Sequence, residues 1–146
     1  MEKLLISACL LGVNCKYSGG NNALPPETLR ELSSAYDLLP VCPETAGGLP
    51  TPRTPSERRG GRVVDRMGED VSAAFEKGAE QALRLALRKG CRKALLKENS
   101  PSCGKNSIYD GSFSGRLVPG QGLAAEKLSA QGIKLFCEGE LDELLI

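Results

Sequence analysis

Six cysteines and no histidine stand in this 146-residue sequence, and that combination narrows its chemistry at once. Without an imidazole there is no Ser-His-Asp triad, no Cys-His dyad and no histidine-ligated metal. Thiolate, carboxylate, hydroxyl, amine, guanidinium or a bound cofactor must do the work. Cys9 and Cys15 are separated by five residues; Cys42, Cys91, Cys103 and Cys137 follow at gaps of 26, 48, 11 and 33. No Cys-x-x-Cys pair occurs, so the usual signatures of a zinc ribbon or a thioredoxin-type centre are missing. Cys91, between a long helical pattern and an apolar run, and Cys137, ending an apolar run, read as small buried hydrophobes. Cys9, Cys42 and Cys103 have Gly, Pro, Ser and charged neighbours, the composition of loops, which tend to carry function.

Three thiolates with no histidine suit a soft metal or an iron–sulfur cluster. Held by three protein ligands, a cubane cluster keeps one iron open to act as a Lewis acid on a substrate heteroatom. With Cys15 as a fourth ligand the site would be closed and structural or electron-transferring. A four-cysteine zinc site is the competing metal reading. A metal-free thiol enzyme pairing Cys9 with Cys15 is a third, and it requires one thiolate of depressed pKa.

Glu44 follows Cys42 by two residues, and Glu98 leads into Cys103. A carboxylate beside a metal edge can serve as general acid or base. For Glu98 an exposed acid paired with Lys97 or Arg92 is an equal alternative. Ser100 and Ser102 flank Pro101 as turn caps, and Ser100 also suits a hydrogen bond to a ligand. Gly104-Lys105-Asn106-Ser107 has the ending of a phosphate loop without its first glycine or its spacing. Arg53, Arg58, Arg59 and Arg62 read as a solvated charged loop, with an anionic substrate as the alternative.

The elements that must gather these residues follow from the apolar pattern. Leu4 to Ala8 reads as a buried strand ending at Cys9. Pro25-Pro26-Glu27 opens a helix to about Ser34. Leu38 to Val41 is a second strand, edge-like because of Pro40, arriving at Cys42. Residues 47 to 61 read as a long mobile loop able to close over a site, with a small strand at Val63-Val64. Val71, Phe75, Ala79, Ala82, Leu83 and Ala86 recur at helical spacing within 68–88, and Gly90 caps that helix. Ala94 to Leu96 is a third strand, 108 to 120 a second loop, Leu123 to Gln131 a helix, and Ile133 to Phe136 a last strand. Strands alternating with helices predict one α/β domain over residues 1–146, a small, mainly parallel sheet with helices on both faces in a Rossmann-like three-layer arrangement. Ligands of such folds sit outside the carboxyl ends of the strands. Cys9, Cys42 and Cys103 each follow a strand, so they are expected to meet there, with Cys15 within reach.

Composition excludes several classes. Nineteen basic against 18 acidic residues leave a formal charge of +1, which gives no bulk attraction for nucleic acid or an acidic membrane surface. Ile6-Ser7-Ala8-Cys9 is shaped like a lipoprotein cleavage box, but the apolar stretch before it is far shorter than the roughly 7–15 residues a signal peptide needs. The longest mostly apolar stretch, Leu4 to Val13, is short of the about 20 residues that span a bilayer. A cytoplasmic chain with reduced thiols is expected.

The motifs themselves carry a resemblance. Ser7-Ala8-Cys9-Leu10-Leu11-Gly12, Cys15-Lys16-Tyr17, Gly19-Gly20, Pro40-Val41-Cys42-Pro43-Glu44, the run from Gly47 to Arg53, Lys97 to Gly104 and Ile108 to Gly115 resemble, over nearly the whole chain, the bacterial domain-of-unknown-function 523 family that includes thiouracil desulfurase. That resemblance implies a [4Fe-4S] cluster on Cys9, Cys42 and Cys103, whose free iron takes sulfur from a small thiolated pyrimidine in a non-redox desulfuration. Glu44 would move protons, Ser100 would orient the base, and Cys15 would be a fourth ligand or a proton donor. A cluster of this kind is expected to be lost from an aerobic preparation. Two positions depart from the family's usual pattern: Lys16, where arginine is common, and Ser18, where aspartate is.

Overall fold

Thirteen regular elements follow one another in the computed structural model, which describes residues 1–146. They are β1 (Lys3–Ser7), α1 (Pro26–Ala35), β2 (Asp37–Val41), α2 (Pro43–Ala46), β3 (Ser56–Arg59), β4 (Arg62–Asp65), α3 (Ser72–Lys89), β5 (Lys93–Leu96), β6 (Ser107–Tyr109), β7 (Leu117–Pro119), α4 (Leu123–Ala130), β8 (Lys134–Cys137) and α5 (Leu141–Leu144). Four strands form one sheet in the order β2-β1-β5-β8, and every pairing in it is parallel.

Alternation along each strand sends side chains to two separate layers. Leu4 and Ile6 of β1, Leu95 of β5 and Phe136 of β8 pack with Leu32 of α1, with Tyr36 just after it and with Leu144 of α5. Leu5, Ala94, Leu96 and Leu135 face the other way, onto Ala86 of α3 and Ala125 and Leu128 of α4. Burial on both faces is why these strands read as continuous apolar runs. The expected α/β three-layer architecture is therefore the observed one. β2 is an edge strand, so the N–H that Pro40 lacks leaves the central pairings intact. Gly90 closes α3 in the left-handed conformation, φ 74°. No helix is long and apolar enough to cross a membrane.

The small strand expected at Val63-Val64 is β4, but it pairs in an antiparallel hairpin with β3, which lies inside the stretch expected to be a loop; the second expected loop holds the hairpin β6–β7. β3 is Ser-Glu-Arg-Arg, which offers no apolar alternation to reveal it. Its arginines tie the segment to distant parts of the chain. Arg58 Nη1 donates to the Gln121 carbonyl at 2.6 Å and pairs with Glu126 at 2.7 Å, and Arg59 Nε donates to the Gly111 carbonyl at 2.7 Å. α3 begins at Ser72 rather than in the predicted first turn, because the Asp65 carboxylate draws the N–H groups of Met67 and Glu69 into a separate turn. α2 and α5 have no counterpart in the sequence pattern. α2 sits directly on α3: a Cβ at Gly78 would strike the Pro43 carbonyl, and one at Gly47 the Ala74 carbonyl. Only glycine lets these backbones touch.

Candidate active site

Because β1, β2 and β5 run in parallel, their carboxyl ends open on the same edge. The chain leaves β1 toward β2 on one side and returns through β5 on the other, the arrangement that leaves a crevice at the strand ends. Cys9 lies in the 3-10 turn Ala8–Leu11 immediately after β1, Cys42 directly follows β2, and Cys103 lies in the loop after β5. These three, with Cys15, Glu44 and Ser100, line one cavity of about 470 Å³. Cys91 and Cys137 are buried away from it, as small hydrophobes.

The Cys103 loop is held from several directions. Its Pro101 and Ser102 carbonyls accept the N–H groups of Leu123, Ala124 and Ala125 at 2.9 to 3.1 Å, so they satisfy the free donors at the start of α4 in place of a side-chain cap. Gly122 permits this approach; a Cβ there would press on the Ser102 backbone. Glu98 organises the other half. Its Oε1 accepts the N–H groups of Asn99, Lys105, Asn106 and Ser107, and its Oε2 the Asn106 amide. Burial pushes the Glu98 carboxyl up, but these hydrogen bonds outweigh it and hold the pKa below the ordinary value. Glu98 is therefore a scaffold for its loop. Lys97, its expected ion-pair partner, pairs with Glu138 at 2.8 Å.

Glu44 is gripped at both oxygens. Arg53 Nε donates to Oε1 at 3.0 Å and the Ser102 hydroxyl to Oε2 at 2.9 Å. The Arg53 side chain is 7% exposed and that of Glu44 15%. Arg53 also donates to the carbonyls of Cys15 (2.8 Å) and Pro50 (3.1 Å) and to the Thr51 hydroxyl (3.1 Å). It is neither a solvated loop residue nor free to hold an anionic substrate, because its donors are committed. Ser102 is the residue that sequence reasoning missed. Read as a turn cap, it is 2% exposed and reaches across to Glu44. Ser100 takes the capping role, accepting the N–H groups of Ser102 (3.1 Å) and Cys103 (3.0 Å), and its hydroxyl meets that of Ser102 at 2.9 Å. Since Ser102 gives its proton to Glu44, Ser100 supplies the proton between the two hydroxyls. The result is a directed chain, Ser100 to Ser102 to Glu44.

The thiols carry their own constraints. Burial pushes Cys103 up to about 12 and, with Cys42 alongside, Cys15 up to about 12; Cys9 is raised as well. The depressed thiol that a metal-free redox enzyme needs is not among these shifts, all of which are upward. Nor do three His, Cys, Asp or Glu side chains converge as one metal ion demands, with zinc–sulfur bonds of about 2.3 Å. An all-sulfur donor set spread around a wide cavity fits a larger polynuclear group, and iron–sulfur clusters are held by cysteine thiolates alone in most proteins.

The sequence profile described as 2-thiouracil desulfurase matches residues 4–140. The chain belongs to the 2-thiouracil desulfurase family. It is 38% identical over 152 residues to "Uncharacterized protein YbbK" of Bacillus subtilis (strain 168), covering 97% of this chain and 99% of that one. Among solved structures it superimposes on the "[4Fe-4S]-dependent thiouracil desulfidase TudS" with a TM-score of 0.95 and 48% identity, covering 99% of this chain and 95% of the other. Membership makes the chain an enzyme of the desulfurase class. The matched span contains all of the strand-end cysteines, Glu44 and the loop that carries Ser100 and Ser102.

Proposed function

We propose that this desulfurase hydrolyses the carbon–sulfur bond of a thiolated pyrimidine such as 2-thiouracil, using a [4Fe-4S] cluster held by Cys9, Cys42 and Cys103. The observation that carries the reading is the meeting of three strand-end thiols in a cavity whose wall holds a carboxylate fixed at both oxygens. When bound through three thiolates, such a cluster supplies an open iron, a Lewis acid with affinity for sulfur. The reaction consumes water and releases hydrogen sulfide and the oxo base, with no net transfer of electrons.

The chain's own groups do the rest. Glu44, oriented by Arg53 and Ser102, takes the proton of the attacking water. Ser100 orients the base by turning its single proton from Ser102 toward the ligand. Cys15, beside Cys42, serves as a proton donor or a fourth ligand. The β3–β4 hairpin is a fixed wall that limits water access.

Anaerobic purification and reconstitution test the reading. About four iron and four acid-labile sulfide per chain are expected from the cubane cluster type, together with conversion of 2-thiouracil to uracil. Cys42→Ala should abolish both; an unchanged cluster spectrum in that variant overturns the ligand set. Cys15→Ala separates its two roles: loss of a fourth ligand changes the cluster spectrum, whereas loss of a proton donor lowers turnover and leaves the spectrum unchanged. Zinc without acid-labile sulfide would support a closed binding module instead.

A further inference from the structure

Half of the chain's aromatic side chains stand at the cavity. Of three tyrosines and three phenylalanines, Tyr36, Phe75 and Phe136 are buried in the core, whereas Tyr17, Tyr109 and Phe113 line the cavity wall. Phe113 belongs to none of the apolar clusters that hold the fold together. It is nevertheless the one that the structure constrains most.

Its backbone is left-handed, with φ 57°, a region where a bulky side chain is uncommon. Asn99, at φ 70°, is the other non-glycine residue of positive φ, and it too lines the cavity. Asparagine tolerates that region; phenylalanine gains nothing from it locally. Such a conformation persists only where its surroundings impose it, and it collects at functional sites. Here the surroundings are explicit. Glu57 Oε1 accepts the N–H groups of Gly111 (3.0 Å) and Phe113 (3.1 Å), and Arg59 Nε donates to the Gly111 carbonyl. A Cβ at Gly111 would strike the Arg59 stem. The Arg66 guanidinium lies over the Phe113 ring, 5.8 Å from its centroid.

We infer that Phe113 is a specificity-determining residue whose ring, set in place by Glu57, is the stacking surface for the flat heterocycle of the substrate. This rests on the functional reading above, which makes the substrate a planar heterocycle. Stacking on an aromatic ring accepts any flat π-system and needs no hydrogen-bond match. It therefore selects for planarity and leaves the reacting sulfur to the thiol-lined end of the cavity. Glu57 is a positioning residue, acting through the N–H groups of Gly111 and Phe113 that it accepts.

The test uses reconstituted wild type, Phe113→Leu, Phe113→Tyr, Glu57→Ala and Glu57→Gln, with iron and sulfide counted in each. KM and kcat are measured for 2-thiouracil, and binding of uracil is followed by ligand-observed NMR. Loss of one base–aromatic stack is worth about tenfold in affinity. Phe113→Leu and Glu57→Ala should therefore raise KM and weaken uracil binding about tenfold, with kcat within about twofold and cluster content unchanged. Phe113→Tyr should keep the wild-type KM, and Glu57→Gln, which retains the carbonyl acceptor, should restore it. A wild-type KM in Phe113→Leu, or equal impairment in Phe113→Leu and Phe113→Tyr, overturns the assignment. If wild type leaves 2-thiouracil intact, the functional reading fails, and the uracil NMR series alone decides the role of Phe113: a loss in Phe113→Leu upholds it, and no binding or no loss overturns it.

Discussion

Replacing Arg53 with methionine keeps the aliphatic stem and removes the guanidinium, which isolates one ion pair. Two of the bonds lost, to the Pro50 carbonyl and the Thr51 hydroxyl, lie where water can replace them. The two that matter are to Glu44 and to the Cys15 carbonyl, both partly buried. With side chains 7% and 15% exposed, Glu44 would be left as a buried charge with only Ser102 as partner. Breaking a buried pair by deleting one member costs about 3–5 kcal/mol. We expect a loss of about 4 kcal/mol at pH 7, which corresponds to a melting temperature lower by roughly 13 °C for a chain of this size. Urea unfolding of the metal-free protein, followed by far-ultraviolet circular dichroism, reads this directly. Glu44→Gln in the Arg53→Met background removes the stranded charge, so the double variant should lose at least about 1 kcal/mol less than the sum of the singles. A loss below about 1 kcal/mol with additive singles would mean a solvated surface pair, and the account of how Glu44 is held would be wrong.

Two further outcomes follow from the scaffold. Gly78→Ala in α3 would gain about 1 kcal/mol if helix propensity decided; because the new Cβ meets the Pro43 carbonyl, a net loss of about 2 kcal/mol from overpacking is expected instead, and a rise in urea midpoint would refute the contact. Glu98 has its folded pKa below the ordinary carboxylate value, so its contribution is fully present above about pH 4.3 and is lost as pH falls through the folded value. Wild type should thus lose more stability than Glu98→Gln between pH 7 and pH 3, and identical pH slopes would exclude the scaffold role.

Much of this was legible in the residues because the decisive elements are apolar runs that end in cysteine. Leu4 to Ile6 and Ala94 to Leu96 read as strands buried on both faces, and parallel order then brings Cys9, Cys42 and Cys103 to one edge. What stayed hidden shares a different cause. β3, with its Ser-Glu-Arg-Arg sequence, is fixed by long-range hydrogen bonds from Arg58 and Arg59 to carbonyls some fifty or sixty positions away, and local sequence carries no trace of such partners. Ser102 and Arg53 were underrated for the same reason: each has ordinary loop neighbours and a distant carboxylate. Gly47 and Gly78 show no pattern either, since what they permit is a contact between two backbones that only the assembled fold brings together.

The position of β1 also bears on how the chain comes to have a site at all. β1 precedes β5 in the chain and is a central strand of the sheet, and its Leu5 pairs with Ala94 across most of the sequence. Pairings so distant along the chain are slow to form, and until β5 has been made, one edge of the apolar run from Leu4 to Ile6 has nothing to bond to. An apolar strand with an unpaired edge is prone to aggregation. The same pairing joins the Cys9 and Cys103 ends, so no partial chain can present the assembled set of thiols. A cofactor that needs all three thiols, as proposed above, can therefore be loaded only after β5 has joined β1.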